Sequence, residues 1–62
     1  MNAMTTTEIR AEIIEMISAG HLSVPKIKAY FKKYKPEANM NKVVEESKEL
    51  VAEARMVMKR GY

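Results

Sequence analysis

The chain contains no cysteine, no aspartate and no tryptophan, and its only histidine is His21. Without cysteine there is no disulfide, no thiolate metal site and no thiol nucleophile. One imidazole with no aspartate to orient it leaves almost every standard acid–base or nucleophilic constellation impossible to assemble. His21 itself follows Gly20 in a turn, and the expectation for it is a structural or solvent-facing place beside the C-terminus of the first helix. Zinc would have one imidazole and scattered glutamates to bind, which is no specific ligand set. Glutamate pairs such as Glu45 and Glu49 are helix neighbours with no burial cue, so glycosidase-like chemistry has no support. The chain is therefore read as a non-enzyme that calls for no cofactor and no metal.

Long apolar runs are also missing. Glu8, Arg10, Glu12 and Glu15 break up the N-terminal stretch that would otherwise resemble a leader, and no run approaches the roughly 18 apolar residues of a membrane span. A cytoplasmic protein without a membrane partner is expected. With 62 residues there is room for one domain, 1–62, and a chain this short buries only about 60% of the surface that its unfolded form exposes. Neither disulfides nor a structural metal can rescue it, so oligomerisation is the remaining device.

Glycine and proline are scarce, two of each, and they punctuate three helical patterns. The first begins in Thr5-Thr6-Thr7, where Thr5 and Glu8 have the S/T-x-x-E spacing of a capping box. Ile9, Ile13, Met16 and Ile17 then fall on one face with Ile14 at its edge, and Gly20 ends the run. The second opens at Ser23 with Pro25 in its first turn. It carries the stripe Val24, Ile27, Tyr30, Phe31 and Tyr34 and stops before Pro36. Asn39 or Asn41 can cap the third. There Met40, Val44, Ser47, Val51, Ala54 and Met58 recur at 3–4 spacing, flanked by Val43, Leu50 and Val57, and Gly61 is the candidate C-cap. The spacing predicts helices near 6–19, 24–35 and 40–60 with residues 1–5 frayed: an all-α, small three-helix domain with a long C-terminal helix. Its expected interior is Ile13, Ile17, Ile27, Phe31, Val44, Leu50 and Val51.

Length sets up the functional argument. A helix over 41–60 would run about 30 Å against about 18 Å for each of the others, so its end lacks cover unless the Met4 region folds back over it. Leu50, Ala54, Val57 and Met58 are accordingly the candidate self-association residues, giving a homodimer or higher homo-oligomer. Basic residues outnumber acidic ones 11 to 8, a net charge of +3, and five cations lie in one stretch: Lys26, Lys28, Lys32, Lys33 and Lys35. They can solvate a helix exterior, meet an acidic partner or contact phosphates, with Tyr30 or Tyr34 adding a hydroxyl bond or a stacking face. Glu45, Glu49 and Glu53 at i, i+4, i+8 repel one another mildly, and a basic surface would relieve them.

Two functions follow. The first is a small non-enzymatic adaptor or inhibitor that binds and modulates a larger protein as a homo-oligomer. The alternative is a DNA-binding transcriptional regulator with a helix-turn-helix-like arrangement, its lysine-rich helix set against the phosphates of duplex DNA. Against that alternative, a third helix in the major groove would carry Glu45, Glu46, Glu49 and Glu53.

Overall fold

The computed structural model describes residues 3–60, which form α1 (Thr6–Ser18), α2 (Val24–Tyr34) and α3 (Met40–Arg60). Local chemistry explains each boundary. At the start of α1 the Glu8 amide donates to Thr5 Oγ1 at 3.2 Å while the Thr5 amide donates to Glu8 Oε1 at 2.8 Å, the reciprocal capping box. The bond from the Thr5 backbone, and then that from its hydroxyl, hold the Glu8 carboxyl below its usual range. The cap's electrostatic contribution is therefore complete above that range and is lost as pH falls through the depressed value. α1 and α2 each stop one residue before the spacing predicts. Gly20 adopts φ +99°, the His21 amide reaches back to the Met16 carbonyl and the Gly20 amide to that of Ile17, a Schellman stop with glycine at its left-handed position. At the end of α2, Lys35 has already left the helical region (φ −132°, ψ 58°) ahead of Pro36. Ser23 occupies the N-cap position of α2 but its hydroxyl makes no cap bond. Asn39 caps α3, its Oδ1 accepting from the amides of Asn41 and Lys42. The candidate cap Gly61 lies outside the described residues.

α1 and α2 each pack along α3 and scarcely touch one another. Arg10 pairs with Glu46, whereas Arg55 Nη2 donates to the Leu22 carbonyl at 2.8 Å. The start of α1 therefore lies level with the first half of α3, and the α1–α2 turn lies level with the second half. α1 runs parallel to α3 and α2 returns antiparallel, an up-down-up arrangement measuring 44 × 18 × 17 Å. This is a compact three-helix all-α domain with a longer C-terminal helix; among the described residues there is no strand, and no helix is long and apolar enough to cross a membrane.

The interior consists of Ile9, Ile13, Ile27, Phe31, Ala38, Val43, Leu50 and Val51. Ile17 and Val44, expected inside, are only half-buried, and Val43 takes the place foreseen for Val44. The cause is the two-sided packing of α3. With about 100° between successive residues, the line facing both neighbours runs through Val43, Ser47, Leu50 and Val51, while Val44 turns to one flank and Glu46 to the other. Tyr34, placed by its spacing in the apolar stripe, is 58% exposed at the end of α2 and rests against Tyr30 at 5.0 Å between ring centroids. Met4 does pack on the core, but level with the start of α3, so it gives no cover to Val57 and Met58.

Ser47 sits at the centre of this line with no exposed surface, and its hydroxyl has no hydrogen-bond partner among the described residues. Burying an unpaired hydroxyl costs free energy, and alanine is the better helix former. Ser47→Ala is expected to raise the urea midpoint, by about 1 kcal/mol of stability. A lowered midpoint would mean that the hydroxyl is satisfied in solution.

Candidate interaction surfaces

The four residues singled out for self-association come together. Leu50, Ala54, Val57 and Met58 form one wall of an open groove of about 380 Å³, and Ile14 and Ile17 of α1 form the other. Val57 and Met58 remain 64% and 65% exposed and Ile14 49%, whereas Leu50 is buried and Ala54 half-buried. The groove exists because α1 stops at Ser18 while α3 continues to Arg60, and the Arg55 bond to Leu22 fixes the intervening turn on α3. Ile14 and Ile17 were missed as surface residues by sequence reasoning. Their signal was the width of the α1 stripe, with Ile14 at its edge, which exceeds what a short helix can bury against one neighbour. Ser18 and Glu53 supply the polar rim.

The five lysines do not converge. Lys26, Lys28, Lys32 and Lys33 are exposed and Lys35 is half-buried. Around the α2 axis Lys28 and Lys32 lie on one flank of the buried line and Lys26 and Lys33 on the other, the two pairs about 130° apart. Between them the outward ridge carries exposed Pro25 and Ala29, neither of which has a side-chain donor or acceptor for reading a base edge. None of the five makes an ion pair among the described residues. Lys33 Nζ instead lies 5.2 Å from the centroid of the Tyr34 ring.

The acidic stripe is likewise left to solvent. Glu45 and Glu49 are exposed on the outer side of α3 and Glu53 on the rim of the groove, and among the described residues Glu45 meets only Lys42, one turn earlier on the same helix, at 3.7 Å. Glu46 behaves differently from its neighbours. It is 7% exposed and bonds to Arg10 across the α1–α3 contact. Sequence pattern gave no sign of this pair, because Glu46 reads as one more member of an acidic run and Arg10 as a solvated cation.

A second cleft, of about 280 Å³, separates α1 from α2 and is lined by Glu12, Glu15, Met16, Ala19, His21 and Tyr30. His21 is exposed at its mouth, as its turn position implied. The imidazole and carboxylates are not gathered for coordination: among the described residues no group of three or more His, Cys, Asp or Glu side chains is placed to hold a metal ion. Comparison of the chain with protein-family models, with curated proteins and with solved structures gives no match.

Proposed function

We propose that this chain is a non-enzymatic helical interaction module of the cytoplasm that self-associates through the α1–α3 groove and, as an oligomer, binds and modulates a larger protein. The observation that carries the reading is the groove itself: six apolar side chains from two helices, of which Val57 and Met58 are more than half exposed and Ile14 is 49% exposed. Contiguous exposed apolar surface on a small domain marks an interaction site. Association would also stabilise a fold of this size by mass action. Replacing Val57 and Met58 together by Ser and Gln is expected to shift the protein to monomer in sedimentation at high micromolar concentration while leaving α1 and α2 helical. A wild-type chain that sediments as a monomer under those conditions would defeat the reading.

The DNA-binding alternative rests on one observation, the four exposed lysines of α2 that meet no glutamate among the described residues. Its weakness is the bare ridge between them and the acidic outer face of α3. Titration against mixed-sequence duplex DNA at two salt concentrations separates the two readings, because neutralised phosphates make affinity fall steeply with salt. For an interaction module, Lys28→Glu, Lys32→Glu and Lys33→Glu combined should leave the helix content and melting curve unchanged, since these side chains point away from the core, and no tight duplex binding should exist to be lost. Tight, salt-sensitive binding by the wild-type chain that the triple variant lacks would reverse the ranking.

A further inference from the structure

We infer that the outer side of the α2–α3 seam, away from α1, docks an acidic segment of the larger protein. This partner chemistry deepens the interaction-module reading above, on which it rests. Helical rotation divides the exterior of α3 lengthwise. Glu49 and Glu53 turn toward the α1 side, where Glu46 and the groove lie, and Glu45 pairs with Lys42 beside them. Exposed Lys48, Arg55 and Lys59 occupy the other half, within about 40° of one another around the axis. Arg55 marks that half as the one next to α2, because its Nη2 donates to the Leu22 carbonyl just ahead of α2. On α2, Tyr30 lines the cleft toward α1, and Lys26 and Lys33 share its flank. Lys28 and Lys32 lie on the opposite flank, next to α3. Cations far apart in sequence thus meet across one seam.

The Arg55 bond also sets the register. Since α2 runs back along α3, Lys28 comes level with the turn that holds Lys48, and Lys32 lies one turn further on. From Lys32 to Lys59 the basic track is about 20 Å long, the reach of about six residues of extended chain. Its charge is of one sign: α2 contains no acidic residue, the glutamates of α3 lie outside the basic half, and Glu37 stands beyond the track in the α2–α3 turn. None of the five cations makes an ion pair among the described residues. Like charges drawn together repel, and a row of carboxylates relieves them and is steered onto them. A duplex, much wider than one seam, would lay phosphates beside Glu45 and Glu49. A single strand needs stacking faces, whereas Tyr30 and Tyr34 rest on each other toward α1. Exposed Ala52 and Met56 border the track and offer a peptide aliphatic contact. The track and the α1–α3 groove lie on opposite sides of α3, so a self-associated chain keeps the track free.

A fluorescein-labelled peptide of about ten glutamates, long enough to span the track, tests the assignment by fluorescence anisotropy on the full chain. Lys28→Glu with Lys48→Glu should weaken binding about tenfold or more, because it reverses charge on both sides of the seam. Lys26→Glu with Lys33→Glu changes net charge equally on the opposite flank of α2 and should weaken binding about threefold at most. All four side chains are exposed, so both variants should keep the wild-type helix content. Equal losses in the two variants would mean that net charge alone draws the peptide, and would overturn the inference, as would a peptide that does not bind. Tighter binding of mixed-sequence duplex DNA than of the peptide, lost in the Lys28 and Lys48 variant, overturns it in favour of nucleic acid. In sedimentation that variant should keep the wild-type oligomeric state, and a shift to monomer would assign the track to a second copy instead. A wild-type monomer that binds the peptide through Lys28 and Lys48 removes self-association and leaves the acidic partner standing, whereas an oligomer indifferent to the peptide does the reverse.

Discussion

Replacing Phe31 with alanine is expected to unfold the domain at room temperature. The ring has no exposed surface and sits among Ile9, Ile13, Ile27 and Val43, all as deeply buried, with Tyr30 against it edge-on at 5.9 Å between centroids. Emptying such a site removes the transfer free energy of the ring and leaves a cavity, together about 3–5 kcal/mol. A chain of 62 residues has only about 3–9 kcal/mol to lose, from typical stability per residue. Only α3 is long enough to hold α1 and α2 together, and they scarcely touch each other, so little remains to close around the void. Far-UV circular dichroism should show helix content collapsing, with the cooperative thermal transition lost. An unchanged melting curve would mean that the α2 stripe is not the interior.

The same packing explains which parts of the fold could be read from residues alone. Helix boundaries were legible because they depend on neighbours in sequence: the Thr5–Glu8 box, Gly20 at its left-handed position, Asn39 before α3 and Pro36 after α2 each act within a turn. The overhang of α3 was legible from length, and with it the exposure of Val57 and Met58. What escaped depends on where a second helix lies. Val43 and Val44 have equal claims on a 3–4 pattern, and only the presence of α1 on one flank of α3 and α2 on the other decides between them. Tyr34 keeps its place in the spacing of the stripe, yet α2 ends there, and the ring extends past the surface that covers Phe31. Lysines evenly spread in sequence appear as one basic block, whereas helical rotation parts them into two pairs with Pro25 and Ala29 between. Groove formation needed two helices at once, so the α1 wall, Ile14 and Ile17, was assigned to the edge of a stripe and to the interior.

Arg10 and Glu46 carry the second large effect. Arg10→Met is expected to destabilise the domain by about 1–3 kcal/mol. Methionine keeps most of the apolar stem that arginine lays along the α1–α3 contact, so the change isolates the charge. It strands a carboxylate that is 7% exposed and whose only side-chain partner among the described residues is that guanidinium. Removing one partner of a fully buried pair costs more, about 3–5 kcal/mol, because the remaining charge is left uncompensated. Here the Arg10 side chain is 39% exposed, water reaches the site, and the cost is discounted accordingly. The companion change separates a net stabilising pair from one that merely avoids a penalty. Glu46→Leu in the Arg10→Met background removes the stranded carboxylate and offers an aliphatic side chain to the α1–α3 contact. The double variant should regain most of the stability that Arg10→Met loses, or exceed the wild type, since buried ion pairs are often matched by well-packed apolar residues of similar volume. Urea unfolding of the four members of the cycle measures the coupling directly. If Arg10→Met alone leaves the midpoint unmoved, solvent already screens Glu46, and the pair contributes orientation of α1 on α3 without stability.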